Sequence, residues 1–380
     1  MKEILVKDIH SNTYFSKPVF LDKSFVITAP EMPFSDELSN ILGKWSFKHV
    51  FSDGEPHVEE LVESSSVVTQ ESSPVELSQQ LDSDKLKKAE DFYSGLLFYV
   101  ENIFVKAAVS DELDYKSITE KIKDMVEYIK EDRRFLMRVL RNIEPAPDKN
   151  YLATHSVRST ILSIIIGTYL KLPNYRLIEL GVAALVHEAG MLKLPSNIYL
   201  SQRQLNASEQ KAIASHPVLG YSMLKSLDFP LPVCLAALEH HERENASGYP
   251  RRLTSEKISM YSKIIAVACS YEALSSKRPH KEAKDGHTGM LELLKNEGKP
   301  YDDMIVRALV VSISIYPIGL YVLLSNGKKA QVVDVNPENP RFPIVQIFGD
   351  FSPDGRTKTM QTSPDVLTIV RPLNRSEIET

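Results

Sequence analysis

The sequence predicts a mainly α-helical protein, a multi-helix bundle with a small β-rich module at its N-terminus and a short β appendage at its C-terminus. Three observations carry that reading. Apolar residues recur at three- and four-residue spacing from about residue 84 to 315, as in Met125/Ile129 and Leu136/Val139/Leu140. Short strand-like runs bounded by turn residues occupy both ends of the chain. Between the N-terminal runs and the first helix the composition changes to acidic and serine-rich.

The elements follow in order. Residues 1–52 form a small β-rich or α/β module, with strands over Glu3–Val6, Thr13–Phe15, Ser24–Thr28 and Phe47–Phe51. One helix, Ser35–Leu42, begins at a capping residue and stops at Gly43. Residues 53–83 hold eight acids, no Lys or Arg, and the cluster SSSVVTQESS; they read as a disordered acidic linker. A helical connector follows over 84–149, with helices Leu86–Val109 and Ile118–Ile143. The helical domain proper is 150–315, with helices near 152–170, 176–189, 208–226, 231–243, 256–276 and 301–315. From 316 to 380 the period switches to strands (LYVLLSNG, AQVVDVN, FPIVQIF, VLTIVRP), and SNG reads as a hairpin turn.

Bulk properties narrow the function. A chain of 380 residues with 43% hydrophobic and 25% charged residues has the composition of a soluble protein with a real core. Its net charge of −5 gives no basic footprint for stable nucleic-acid binding. Two cysteines, Cys234 and Cys269, make no disulfide framework and fit a reducing cytoplasm. MKEILVKDIH lacks the apolar core of a signal peptide. Ala308–Leu324 is uncharged but broken by Pro317 and Gly319, and reads as a helix end followed by a strand, not a membrane span.

Five of the ten histidines fall in the helical body: His155, His187, His216, His240 and His241. Their gaps of about 24 to 32 residues are one helix plus one turn each, so successive helices can aim them at one point. A lone histidine on such a helix is more often a satisfied core residue. Five of them, with Glu188 adjacent to His187, point instead to a metal site, because imidazole suits borderline metals and carboxylates bridge them. HHERENASGYP (240–250) ends a helix in a Gly-Tyr-Pro turn, where Gly248 offers unusual torsions and Pro250 fixes the exit. KRPHK (277–281) places cations after a helix; they suit a phosphodiester, but taken alone they are better explained as a solvated helix C-terminus.

Taken in order, HSVR (155–158), LVHEAG (185–190), HP..GY (216–221), HHER....GYP (240–250), IIAVA (264–268) and YEALSSKRP (271–279) resemble the HD-GYP family. That is the branch of HD-domain metal phosphohydrolases that linearises cyclic di-GMP. The resemblance implies a multi-helix HD-domain bundle and a cytoplasmic phosphodiesterase with two divalent metal ions, iron or manganese. It implies cyclic di-GMP as the partner, with a homodimer or signalling-protein partner compatible and no membrane involved. Carried over, His155, His187, Glu188, His216, His240, His241 and Cys269 are the metal positions, with His187 and Glu188 at the catalytic motif. Gly248, Tyr249, Pro250, Arg278 and Lys281 are the substrate-binding positions. Glu188 stands where the family has aspartate, Cys269 where it has a second aspartate, and Met191 where it has a lysine. Tyr151 is not the glutamate of trimetallic members, so two metals are expected. The departures leave a second reading, a catalytically silent member that binds a cyclic dinucleotide or a protein.

Overall fold

The protein is described by a computed structural model. Residues 2–57 are described apart from 11–12, 22–25, 29–33, 36–37, 40–41 and 43–46, and residues 74–378 apart from 143–150, 202, 277–285, 337, 352–356 and 374–376. The chain divides into two compact units, Met1–Glu71 and Ser72–Thr380.

The first unit is β-rich. Strands β1 (Lys2–Leu5), β3 (Val19–Phe20), β4 (Val26–Thr28) and β5 (His49–Ser52) form an antiparallel sheet of order β1-β5-β3-β4. Strands β2 (Tyr14–Phe15) and β6 (Pro56–His57) pair beside it. Alternate residues close a small core of Val6, Phe15, Val19, Phe34, Leu42 and Val50. The expected helix Ser35–Leu42 falls partly outside the described residues; its cap is visible, with the Leu38 amide donating to Ser35 Oγ at 3.2 Å.

In the second unit α1 runs Pro74–Ser110, so the last ten residues assigned to the linker are helical. Polar, acidic residues are good helix formers once an apolar face follows them in the same helix, and composition alone does not show this. The rest of that linker, 58–73, lies outside the described residues. One segment, Ser83–Ser110, is long and apolar enough to cross a membrane by length and composition. Its face of Tyr93, Leu96, Val100, Phe104 and Ala107 is buried in the helical core. Helix α2 (Tyr115–Asn142) pairs with α1 through the stacked rings of Phe92 and Tyr128.

Helix α3 (Tyr151–Tyr169) is buried without interruption from Leu152 to Gly167, the mark of a helix surrounded on all sides. Around it pack α4 (Asn174–Val186), α9 (Met260–Ser275) and α11 (Asp303–Ile313). The short α5 (Ser196–Tyr199) and α6 (Ala207–Ile213) lead to the paired α7 (His216–Ser226) and α8 (Leu231–Glu239). The single helix expected over 208–226 is thus two. Pro217 lacks an amide hydrogen to continue the preceding helix and is tolerated in a first turn, so a new helix starts at His216. Helix α10 (Gly286–Lys295) is an element the sequence reading did not include.

Strands β7 (Tyr321–Leu324), β8 (Lys329–Asp334), β9 (Ile344–Phe351), β10 (Thr357–Gln361) and β11 (Ile369–Pro372) form an antiparallel sheet of order β10-β9-β8-β7-β11. The uncharged run at 308–324 is the end of α11 followed by β7, as its Pro and Gly suggested. Gly327, in the expected turn, has φ 79°, a torsion that glycine adopts at no steric cost. Strand β10, sequence TKTMQ, carries too few apolar residues to be seen as a strand.

Candidate metal centre

The centre is built where four helices end or begin. The apolar run of α4 carries His187 to its C-terminal cap, and Glu188 follows in a tight turn before a 3-10 helix, Ala189–Lys193. That turn presses against the start of α7. A Cβ at Gly190 would lie 1.9 Å from the His216 carbonyl oxygen and 2.5 Å from the Gly220 nitrogen. Only glycine permits this approach, and the approach sets the HE pair beside His216. His240 caps α8, His241 follows it, His155 sits in the second turn of α3, and Cys269 lies on α9.

The histidines are held by their outer nitrogens. Nδ1 of His187 donates to the Ala184 carbonyl (2.6 Å), that of His216 to Ile213 (2.6 Å), and that of His240 to Ala237 (2.9 Å). A carbonyl only accepts, so Nδ1 carries the proton, and Nε2 is the nitrogen that presents a lone pair whenever the ring is neutral. His155 Nδ1 bonds the buried Glu272 carboxylate in the same manner.

Seven donors converge. The ligand atoms of Glu188, His216, His240 and His241 lie within 4.8 Å of one another, and so do those of His155, His187 and Cys269. Glu188 lies between the groups: Oε2 is 3.2 Å from His216 Nε2, and Oε1 is 3.7 Å and 3.8 Å from Nε2 of His155 and His187. Two features fit this set to divalent cations. His216 Nε2 and His240 Nε2 face each other at 3.1 Å, where two bare lone pairs repel unless a cation or proton lies between them. Glu188 Oε2 is buried without a hydrogen-bond partner, a costly state for a carboxylate in a protein interior.

The electrostatics are those of a dry, tightly packed cluster. Burial pushes the Glu188 carboxyl up, but the imidazoles of His216, His187 and His155 outweigh it and hold it at about 2. Burial likewise raises the Cys269 thiol, and the neighbouring His187 and His155 bring it down to about 6, so it is a thiolate near neutrality. Burial lowers His155, and Glu272 and Cys269 together more than compensate, raising it to about 10. Burial and the adjoining imidazoles keep His240 and His241 well below the usual histidine range, hence neutral and able to ligate.

The Gly-Tyr-Pro turn lies against this cluster. The Tyr249 ring stacks on His241, with centroids 4.6 Å apart and planes 14° apart, and the Tyr249–Pro250 peptide is cis. Gly248 is required for space, not for the torsions the sequence suggested: its φ is not positive. A Cβ there would sit 2.4–2.5 Å from the backbone of residues 241–243. Two buried acids that the sequence reading passed over hold the turn. Glu242 accepts from the amides of Arg251 (2.7 Å) and Leu253 (2.9 Å). Glu239 bonds the Arg251 guanidinium, the Ser259 amide (2.9 Å) and Ser262 Oγ (3.1 Å). The available signal was two acids at the end of an otherwise apolar helix, LPVCLAALEHHER. Glu242→Ala leaves two amides unpaired and is expected to cost about 1–3 kcal/mol. Amide exchange across 248–253 should accelerate; unchanged protection there would refute this role for Glu242.

The remaining positions are placed as follows. Glu272, three residues beyond Cys269, has its carboxylate behind His155. Met191 is buried in the helical core. Tyr151 lies near Tyr199, ring centroids 6.5 Å apart. Arg278 and Lys281 lie outside the described residues.

Residues 138–305 match the family model of the HD domain. The same segment contains the HHER and GYP motifs on which the resemblance to the HD-GYP branch rests. The chain is 31% identical over 239 residues to the cyclic di-GMP phosphodiesterase PdeB of Borreliella burgdorferi, covering 62% of this chain and 63% of that protein. A cyclic di-GMP phosphodiesterase of Pseudomonas aeruginosa is 27% identical over 250 residues, covering 66% of this chain and 59% of the relative. The matches therefore span less than two thirds of either relative. A solved structure of an HDG"Y"P protein, Bd1817 of Bdellovibrio bacteriovorus, aligns with TM-score 0.48 and 14% identity over 81% of this chain and 97% of that one.

Proposed function

We propose that the protein is a metal-dependent phosphodiesterase that opens cyclic di-GMP to the linear dinucleotide. The observation that carries this reading is the pair of donor groups with Glu188 between them and Tyr249 stacked at the edge. His155, His187 and Cys269 would hold one divalent ion, and His216, His240 and His241 the other, with Glu188 reaching both. Two such ions supply an activated water at neutral pH and stabilise the attacking and leaving oxygens.

The chain's own residues do the rest. Carbonyls of Ala184, Ile213 and Ala237 and the Glu272 carboxylate aim the imidazoles inward, so the donors need little rearrangement. Glu239 and Glu242 fix the Gly-Tyr-Pro turn, leaving the partly exposed Tyr249 as an aromatic face for a purine base. Burial pushes the Tyr249 hydroxyl up, keeping it a neutral donor. Arg278 and Lys281 supply cations for phosphate. The names of the two relatives support cyclic di-GMP as substrate.

A catalytically silent binding protein is the second reading, favoured by Glu188, Cys269 and a Met191 side chain buried away from solvent. One experiment separates them: cyclic di-GMP turnover by protein purified without oxygen, with metal counted on the same sample. The enzyme reading expects product with about two metals per chain. A fully metallated sample that binds the dinucleotide and yields no product would establish the silent reading.

A further inference from the structure

We propose that the two halves of the centre are chemically unlike: Cys269 makes the half formed with His155 and His187 a thiolate site for borderline-soft ions such as Fe(II), Zn(II) or Co(II), and excludes Mn(II) from it. This inference rests on the metal-centre reading above. Cys269 Sγ lies 3.2 Å from His187 Nε2, within the same donor group as His155. No carboxylate among the described residues is left to that half alone. Glu272, the nearest acid on α9, has its carboxylate taken by His155 Nδ1, and Glu188 is shared with the other half. The soft half therefore offers two imidazoles and a sulfur. The other half offers three imidazoles and a carboxylate. Thiolate ligands select softer metals, whereas carboxylate-bearing sites accept manganese, so one chain discriminates between its two positions.

The sequence makes this testable, because it holds just two cysteines. Cys234 is buried elsewhere, its thiol turned to the Phe229 carbonyl at 3.4 Å and outside both donor groups. A thiolate-to-metal signal that survives Cys234→Ser belongs to Cys269.

The full-length metal-free chain would be titrated with Co(II) and, separately, Mn(II), following stoichiometry and the near-ultraviolet thiolate-to-cobalt charge-transfer absorption. Two Co(II) with the charge-transfer band, against one Mn(II), is the expected result. Cys269→Asp should lose the band and bind a second Mn(II); Cys269→Ser, nearly isosteric, should lose the band while keeping Co(II) in the other half. Cobalt bound in both halves without the band, or a band that persists in Cys269→Asp, overturns the proposal and leaves the metal centre standing. Failure to bind any cobalt overturns both.

Discussion

Glu188→Gln is expected to weaken metal binding in both halves of the centre while leaving the protein folded. Among the described residues Glu188 is the carboxylate that reaches both donor groups, 3.2 Å from His216 and 3.7–3.8 Å from His155 and His187. The amide keeps its volume and can donate to the His216 lone pair, so packing is preserved. What disappears is one of two anionic donors, the other being the Cys269 thiolate. Metal content should fall from two per chain to one or fewer, with turnover reduced by at least about 100-fold, the scale of losing one preorganised electrostatic partner. Thermal unfolding separates this from misfolding. Metal at a hundred times its Kd stabilises a protein by about 2.7 kcal/mol, and the variant should lose that increment while the two metal-free proteins melt together. An undiminished metal content would remove Glu188 from the centre.

Much of this centre could be read in the sequence, because helical spacing fixes where a helix ends. Five histidines one helix apart, each at or near a terminus, had few ways to arrange themselves other than around a point. What could not be read was the second layer. Glu272 lies on the same helix as Cys269 and could serve as ligand or as support for one; only the packing of α3 against α9 gives its carboxylate to His155. Glu239 and Glu242 are charged residues at a helix end, normally a solvated position, and become buried because the chain turns back through Arg251. Gly248 shows the same limit: a glycine needed for torsion and one needed for space are identical as letters. Element boundaries followed local chemistry. Pro217 divides α6 from α7 by a rule readable in advance, whereas the start of α1 at Pro74 depends on tertiary contacts made further along the helix.

Gly190→Ala should do more damage than any change to a ligand's neighbour, although residue 190 touches neither metal nor substrate. The added Cβ would sit 1.9 Å from the His216 carbonyl oxygen and 2.5 Å from the Gly220 nitrogen, both backbone atoms that no rotamer change can move. Relief therefore requires the 3-10 turn and α7 to separate by roughly 1 Å, which moves the HE pair away from His216, and a misplacement of that size costs on the order of 100-fold in rate. Overpacking adds about 1–3 kcal/mol of destabilisation. The facing glycine provides the control. A Cβ at Gly220 would meet the Gly190 nitrogen at 3.1 Å and its Cα at 3.5 Å, tight but close to tolerable. Gly220→Ala should thus keep most of its metal and melt near wild type, while Gly190→Ala loses both. If the order were reversed, or if Gly190→Ala retained full metal content, close approach of these two segments would not be what positions the HE pair. The LVHEAG motif would then owe its glycine to something other than the geometry of the centre.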